Sequence, residues 1–397
     1  MSSSWRLHPT VLLMALAHMM VDGYGNILAP LLPILISRLD LSLAAAGMMT
    51  MLFQLSASVA QVGFGHLADR WRPRVLVMAG PVLSVIVLSF VGVATSPLML
   101  AAILVVGGLG GAAFHPPAAT LASKMGGARP GFAMSVYISG GTLGFSLGPL
   151  MFAPFAQHFG MEWTPVLAIP GLVVIAFFLV RVPKFEWASH GPQGLAALRP
   201  YAKPLGLMYA IVVLRTMTSI AFATFLPVML TRRGMSIGAA GAVVAGYLFA
   251  SGVGGFFGGP AADRWGSKRV IAWSLVASFP FLFVAPQLEG ARFMIALAIG
   301  GFFLQSTLPV NVVFGQALAP VSAATVSSLM MGFAWGTGGM TVPLTGFVAD
   351  RIGIEPTLVA LSFVPLLAAA CALPLPGRAA SPPRTASKNY APADPSQ

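Results

Sequence analysis

The sequence predicts an all-α integral membrane protein, with twelve transmembrane helices in two pseudo-symmetric six-helix bundles around a central cavity. Three observations lead to this prediction: the composition, the number of long apolar segments, and a repeat that relates the two halves. Of the 397 residues, 57% are hydrophobic and only 8% are charged. Soluble proteins carry about a quarter charged residues, so most of this chain's surface must face a lipid bilayer.

Each predicted helix is an apolar segment of about 20 residues, the length that crosses a bilayer, bounded by charged residues or by Gly and Pro. The predicted spans are residues 10–36, 43–67, 75–94, 97–123, 131–157, 164–182, 205–231, 237–260, 270–288, 292–315, 322–348 and 355–375. The first apolar stretch is too long for a cleavable signal peptide. A single cysteine, Cys371, excludes a disulfide framework and a cysteine-based metal site.

The longest polar stretch follows the sixth span and divides the chain. We therefore predict an N-terminal bundle at residues 1–182, a cytoplasmic linker at 183–204 and a C-terminal bundle at 205–376. The remaining residues, 377–397, are rich in Pro, Ser and Ala, which predicts a disordered cytoplasmic tail.

The distribution of Lys and Arg predicts the orientation. If the N-terminus is inside, sixteen of the 22 Lys and Arg residues lie on the cytoplasmic face and five on the opposite face. The positive-inside rule then places both termini in the cytoplasm. The net charge of +12 is not evidence for nucleic-acid binding, which needs cations clustered on a soluble face. Five Lys against seventeen Arg is typical of a GC-rich bacterial genome, hence of an inner membrane.

The two halves repeat one another. Asp69-Arg70-Trp71 after the second span recurs as Asp263-Arg264-Trp265 after the eighth, 194 positions later, and Leu32-Pro33 recurs as Leu226-Pro227 at the same offset. Each repeat crosses the membrane an even number of times, so both have the same orientation. Such parallel repeats around a midplane site are the architecture of secondary transporters.

These motifs also carry a family resemblance. The segment from Gly65 to Arg74 resembles the signature loop of the major facilitator superfamily, Gly-x-x-x-Asp-Arg/Lys-x-Gly-x-Arg/Lys, with Arg72 at the second Gly position. Phe114-His115-Pro116 and the glycine-rich run from Gly131 to Leu150 are similar to the fosmidomycin-resistance-like branch, although Pro117 stands where that branch tends to have an acidic residue. The resemblance implies drug export against a proton gradient.

The resemblance further implies a conformational latch at the repeated loop, closed in the outward-facing state. Asp69 could cap a neighbouring helix N-terminus and pair with arginines there. Ordinary positive-inside anchoring is the alternative. The predicted latch residues are Gly65, Asp69, Arg70, Arg74, Gly259, Asp263, Arg264, Gly266 and Arg269.

Ionisable side chains inside the first span predict proton coupling. A charge at mid-bilayer costs at least ~2.5–3.5 kcal/mol and needs a reason to be there. His18, Asp22 and Asn26 are spaced by four residues and share one helix face. A His next to a carboxylate can exchange or share a proton, so we predict that Asp22 and His18 couple transport to protons. The alternative is a structural pair that only packs the helix.

Arg215 in the seventh span predicts an anion site. It lies twelve residues before Pro227, while Asp22 lies eleven before Pro33, so the two charges have nearly the same depth on equivalent helices. Arginine stays protonated and must find an anion. We expect Asp22 to be this anion when no substrate is bound. During transport, the carboxylate or phosphonate group of a substrate takes its place. A permanent structural ion pair is the alternative.

His115 precedes two prolines, which free the carbonyls of Ala112 and Ala113 inside the membrane. Its side chain either bonds those carbonyls or serves a broken-helix site for substrate or protons. Other polar side chains predicted at the substrate site, each with an interhelical hydrogen bond as the alternative, are Tyr24, Asn26, Gln54, Tyr137, Gln305, Asn311 and Trp335.

Several motifs are absent from the sequence. There is no Walker loop for ATP and no His-Glu-x-x-His motif, so we predict no enzyme, cofactor or metal. The predicted function is a proton-coupled secondary transporter that works by alternating access and exports a small anionic or amphipathic compound. Its expected partners are the substrate, protons and membrane lipids, and we expect a monomer. The alternatives are uptake or exchange of an organic anion without proton antiport, and a lipid flippase or headgroup enzyme.

Overall fold

A computed structural model of the chain describes residues 8–70, 73–126, 130–184, 195–319, 326 and 329–377. All regular elements within these residues are helical. Eleven of the described helical segments are long and apolar enough to cross a membrane. The predicted span at 322–348 lies partly outside the described residues, and its described part is also helical. The protein is therefore an all-α membrane protein, as the composition predicts.

The first half holds six spans. Its α-helices are α1 (Pro9–Gly25), α2 (Leu28–Arg38), α3 (Leu43–Gln54), α4 (Ala60–Arg70), α5 (Pro73–Ser89), α6 (Pro97–Met125), α7 (Pro130–Phe159) and α8 (Ala168–Arg181). Short 3₁₀ or π turns at Leu55–Val59, Phe90–Val93 and Met161–Leu167 extend three of them. A 3₁₀ turn at Leu195–Tyr201 leads into the second half.

The second half repeats this arrangement. Its α-helices are α9 (Ala202–Arg232), α10 (Ile237–Trp265), α11 (Ser267–Val284), α12 (Gly290–Gln305), α13 (Thr307–Leu318), α14 (Ala334–Gly339), α15 (Val342–Ile352), α16 (Ile354–Leu361) and α17 (Val364–Ala372). A π turn at Leu329–Phe333 precedes α14. The π turn of the second span packs beside it across the two halves.

Several spans are interrupted within the described residues. The first is broken at Asn26, whose backbone N–H caps the end of α1, and the tenth at Ser306. The eleventh is broken at 340–341 and the twelfth at 362–363. By contrast, α6 continues through Pro116 and Pro117 without a break. Of the two roles considered for His115, a broken-helix site is therefore not seen in this structure.

Alternating crossings bring most of the Lys and Arg residues to one end of the spans, which we call the basic face. At the opposite end the halves are held together by side chains that cap helices of the other half. Asp350 at the end of α15 accepts hydrogen bonds from the backbone N–H groups of Leu43 and Ala44, at 2.8 and 2.9 Å. Gln157 Oε1 at the end of α7 accepts one from the N–H of Gly238, at 2.7 Å.

We call these two contacts the interbundle clasp. Asp350 and Gln157 are 193 positions apart in the chain, so the two caps are related by the internal repeat. Close backbone packing accompanies them. A Cβ added to Gly47 would lie 2.6 Å from the carbonyl oxygen of Val342, which leaves no room for any other residue there. The halves are thus closed against each other at this face.

The basic face shows no such closure among its described side chains. Asp263, Arg264 and Arg269 are all exposed, and the Arg264 guanidinium lies over the ring of Trp265, its own neighbour, at 5.8 Å. Arg74 has a buried Nε without a hydrogen-bond partner. Gly266 ends α10 with φ of 88°, a conformation that favours glycine.

Not every residue of the predicted latch can be placed. The side chains of Asp69 and Arg70 lie outside the described residues. Gly65 packs near Pro116, and Gly259 faces open space. The latch therefore stays a prediction for the state in which the basic face closes.

Candidate functional site

The charged groups inside the spans form two clusters, one in each half. The acid–imidazole cluster consists of His18, Asp22, His115 and Tyr137. The guanidinium cluster consists of Arg215, Thr216, Ser219, Gln305 and Trp335.

Asp22 lies between two imidazoles, and each of its oxygens contacts one of them. His18 Nε2 is 3.1 Å from Asp22 Oδ2, and His115 Nε2 is 3.3 Å from Asp22 Oδ1. The first contact confirms the pairing expected from the four-residue spacing on α1. The second contact was not predicted, and it joins His115 on α6 to Asp22 on α1.

The His18 ring is held by Tyr137 of α7. Its Nδ1 lies 2.8 Å from the Tyr137 carbonyl oxygen, and the Tyr137 ring stacks on the imidazole at 4.2 Å between centroids. A carbonyl only accepts, so Nδ1 donates its proton there. Nε2 then faces the Asp22 carboxylate at 3.1 Å, and a proton bound there would make the contact an ion pair. The His18–Asp22 pair is therefore a place where one proton can be taken up or released.

The cluster is enclosed except for a small exposed surface, and space in it is limited. The side chains of His18, Asp22 and His115 are 11%, 13% and 20% exposed, although they lie within the bundle. Gly141 of α7 faces the pair, and a Cβ there would lie 2.5 Å from both Asp22 Oδ2 and His18 Nε2. Any larger residue at this position would therefore displace one or both side chains of the pair.

The same three side chains are the described residues that could hold a metal ion, since their ligand atoms lie within 4.8 Å of one another. In this arrangement each carboxylate oxygen of Asp22 faces one imidazole nitrogen.

Arg215 is the largest fully buried side chain, with 0% of its surface exposed. Its Nη1 donates to Gln305 Oε1, its Nη2 donates to Thr216 Oγ1 at 3.0 Å, and its guanidinium carbon lies 5.2 Å from the centre of the Trp335 ring. Gln305 in turn donates to Ser219 Oγ at 3.0 Å. Every one of these contacts is neutral.

The guanidinium cluster lacks a counter-ion. No carboxylate among the described residues lies within ion-pairing distance of Arg215, and its Nε has no hydrogen-bond partner. The expected pairing with Asp22 is wrong for this structure, because both oxygens of Asp22 already contact imidazoles of their own half. An uncompensated buried charge is costly, so the site is incomplete without an anion.

The internal repeat relates the two clusters. Asp22 and Arg215 are 193 positions apart, and Gly141 and Trp335 are 194 positions apart. Equivalent positions thus hold a carboxylate beside a glycine in one half and a guanidinium beside a tryptophan in the other.

The structure does not bring all predicted site residues into these clusters. Tyr24 is buried, and its hydroxyl donates to the Leu167 carbonyl. The Asn26 amide donates to the Phe145 carbonyl at 2.8 Å. Both side chains hold α1 against its neighbours in the bundle.

Two further predicted residues lie elsewhere. Gln54 is half-buried at the end of α3, against Gly339 of the other half. Asn311 on α13 is 1% exposed, and neither atom of its amide group has a partner among the described residues.

Two polar residues near Arg215 escaped sequence reasoning. Tyr247 and Ser251 on α10 are both buried, and the Tyr247 hydroxyl faces Ser219, Ser251 and the Arg215 guanidinium. The available signal was their four-residue spacing, which places both hydroxyls on one face of the eighth span.

A family model described as Major Facilitator Superfamily matches residues 13–236 and, again, residues 207–395. The chain belongs to the Major Facilitator Superfamily. Its members are transporters and not enzymes, so the absence of catalytic motifs in the sequence agrees with the family.

Curated relatives of this superfamily member cover almost the whole chain. The fosmidomycin resistance protein of Escherichia coli (strain K12) is 28% identical over 89% of each chain. The uncharacterized transporter YfnC of Bacillus subtilis (strain 168) is 28% identical over 91% of each. A probable nitrate/nitrite transporter, NarK2 of Mycobacterium tuberculosis (strain ATCC 25618 / H37Rv), is 27% identical over 87% of this chain and 90% of its own.

Solved structures of the superfamily share the fold. A bacterial homolog of the human lysosomal transporter Spinster, in an inward-facing, unoccupied conformation, matches with a TM-score of 0.77, at 17% identity over 94% of this chain and 97% of the other. The nucleoside transporter NupG matches with a TM-score of 0.74, at 14% identity over 91% and 98%. At these identities the likeness concerns the fold alone.

Proposed function

We propose that this Major Facilitator Superfamily transporter is a proton antiporter, which exports a small anionic or amphipathic compound across a bacterial inner membrane by alternating access. The observation that carries the proposal is the Asp22 carboxylate, which is held between two imidazoles inside the bundle and keeps a small exposed surface. A structural ion pair does not need the second imidazole.

Proton coupling requires that the cluster change charge during the cycle. The titratable groups that face Asp22 are His18 on its own helix, His115 on α6 and Tyr137 on α7. No described Lys or Arg pairs with Asp22. Gain or loss of one proton therefore changes the net charge of the cluster, and such a change at membrane depth is large enough to drive rearrangement.

Arg215 supports an anionic substrate. A fully buried guanidinium with only neutral partners is stabilised by a bound anion. The names of two relatives are consistent with ligands of different kinds, since one denotes fosmidomycin resistance and the other probable nitrate/nitrite transport. Substrate identity is therefore left to the assay.

Orientation follows from the positive-inside rule. With the basic face in the cytoplasm, both termini are cytoplasmic and the interbundle clasp lies at the outer face. The arrangement is then the state closed toward the outside. In the opposite state the clasp opens, and the predicted latch around Asp69 and Asp263 closes, in a transporter that works as a monomer.

A second candidate function is exchange of an organic anion without protons. The lack of a counter-ion at Arg215 among the described residues favours it, because a site that needs an anion in both directions of the cycle exchanges anions. The acid–imidazole cluster would then be structural.

Proteoliposomes with a trapped pH dye separate the two candidates. A panel of phosphonates, carboxylates and amphipathic drugs is applied to wild type, Asp22→Asn and Asp40→Asn. Asp40 is exposed, with φ of 49°, a conformation that Asn tolerates, so it is a matched control. We expect substrate-dependent proton movement in wild type and Asp40→Asn but not in Asp22→Asn.

Equal substrate transport in all three proteins without proton movement would favour anion exchange. A metal chelator in the assay buffer is the further control. Loss of transport with the chelator would mean that the acid–imidazole cluster binds a cation and not a proton.

A further inference from the structure

In and beside the guanidinium cluster, three buried polar atoms make no hydrogen bond of good geometry. They are Arg215 Nε, the Tyr247 hydroxyl and the Ser251 hydroxyl. Tyr247 and Ser251 are 1% and 4% exposed, and Arg215 is fully buried. More than 90% of buried polar groups in proteins are hydrogen-bonded. Three buried polar atoms without hydrogen bonds around one guanidinium therefore need an explanation.

The three donors lie together. Tyr247 and Ser251 are four residues apart on α10, and Gly301 of α12 packs against both, since a Cβ there would lie 2.6 Å from Ser251 Oγ and from Tyr247 Cε2. The Tyr247 hydroxyl is near enough to Arg215 to interact with its charge.

The acceptors next to these donors are already engaged. Gln305 Oε1 accepts from Arg215 Nη1, and Thr216 Oγ1 accepts from Nη2. Gln305 is fixed in this role by its bond to Ser219. Arg215 Nε can only donate, so its missing partner is an acceptor, and beside a cation a negatively charged acceptor fits best.

We propose that Tyr247, Ser251 and the Nε edge of Arg215 bind the oxyanion group of the substrate, such as a phosphonate, phosphate or carboxylate. Trp335 stacks on the guanidinium face, so the anion approaches in the guanidinium plane. Gln305 is a positioning residue, which holds the guanidinium with this edge toward α10. The inference rests on the proposed function only for the role of Arg215 as an anion site.

The test uses the full chain in lipid nanodiscs and three probes: methylphosphonate, inorganic phosphate and acetate. Affinity is obtained from the rise of the unfolding temperature with probe concentration. The variants are Tyr247→Phe, Ser251→Ala and Arg215→Gln. The matched control is Tyr209→Phe, because the Tyr209 hydroxyl is hydrogen-bonded to Thr337 Oγ1 at 2.6 Å, outside the cluster.

We expect Tyr247→Phe and Ser251→Ala each to weaken binding of at least one probe by about tenfold, the size of one hydrogen bond to a charged group. Without probe, both variants should unfold close to the wild-type temperature, because neither hydroxyl makes a hydrogen bond of good geometry in the structure. Tyr209→Phe should show the reverse, with a lower unfolding temperature and unchanged affinity. The probe that loses most affinity identifies the oxyanion as a phosphonate, a phosphate or a carboxylate.

Two results would overturn the inference: wild-type affinity in both hydroxyl variants, or no binding of any probe by wild type. If Arg215→Gln abolishes binding while the hydroxyl variants keep it, only the inference fails. If Arg215→Gln also keeps wild-type affinity, the anion site of the proposed function fails with it.

Discussion

At the scale of single residues, the most informative feature is the contact between His18 and Asp22. The Nδ1 atom of His18 lies against the Tyr137 carbonyl, which leaves Nε2 to face the carboxylate. His115 offers the other oxygen of Asp22 a second partner. A proton can therefore leave or enter this cluster without leaving the carboxylate unpaired.

Gly141→Ala tests this arrangement without changing any titratable group. The added Cβ would lie 2.5 Å from both Asp22 Oδ2 and His18 Nε2, so the pair must separate. We predict at least a tenfold loss of substrate-driven proton movement in proteoliposomes, with the helices intact by circular dichroism. The control is Gly63→Ala, a helical position of the same half with nothing within 4 Å of an added Cβ. Normal coupling in Gly141→Ala would show that the pair is not needed.

Gln305→Glu tests the guanidinium cluster by supplying the missing charge internally. The new carboxylate would accept from Arg215 in place of the amide oxygen and neutralise it. We predict a higher unfolding temperature together with at least a tenfold loss of transport of anionic substrates. Gln287→Glu, on the exposed end of α11, is the control. Unchanged anion transport in Gln305→Glu would mean that the positive charge of Arg215 does not bind substrate.

Only part of this site could be predicted from the sequence, and the reason is geometric. Helix periodicity fixes which residues of one helix share a face, so the His18–Asp22 pair could be predicted. The position of a residue along its span gives its depth but not the direction in which its helix turns it. That is why Asp22 and Arg215, at matching depth, were wrongly expected to pair, and why the His115–Asp22 contact was missed.

At the scale of helices, the clasp relates two elements that are far apart in sequence. Asp350 ends α15 and caps the start of α3, and Gln157 ends α7 and caps the start of α10. A carboxylate at a helix N-terminus contributes about 0.3–1 kcal/mol, and up to ~2 kcal/mol where it is partly buried. The amide of Gln157 is neutral, so its cap lacks this stabilisation by a negative charge.

Asp350→Ala should therefore open the face of the clasp more than Gln157→Ala does. We predict that Asp350→Ala shifts the equilibrium toward the state open at this face by about fivefold, and Gln157→Ala by less. Distances between two spin labels, one on each half at this face, measure the shift by electron–electron double resonance. Asp40→Asn, which changes an exposed carboxylate of the same face, should have no effect. An equal shift in all three variants would contradict the proposed role of the clasp.

The helices themselves were largely predictable from apolar length, because a span must satisfy its own backbone in lipid. The interruptions were harder to predict. The two prolines made a break in α6 one of two alternatives, and α6 is continuous, while the first span breaks at Asn26, ahead of Pro30 and Pro33. The local sequence does not reveal whether a neighbouring helix compensates for the lost backbone hydrogen bond.

At the scale of the whole molecule, the internal repeat gives two halves of one fold with opposite chemistry. The first half holds a carboxylate and two imidazoles, and the second half holds a buried guanidinium. A proton site and an anion site in separate halves suit antiport, because each ligand can bias the packing of its own half. The two halves meet through the clasp at one face, so closure there is linked to the same rearrangement.

The central claim is that protons and substrate move in opposite directions through this protein. The most direct test imposes a pH gradient on wild-type proteoliposomes that contain the same concentration of a transported anion inside and outside. The account predicts net movement of the anion toward the acidic side, against the flow of protons, and its reversal when the gradient is reversed. Net anion movement of zero under both gradients, in vesicles that still exchange labelled anion, would contradict proton antiport.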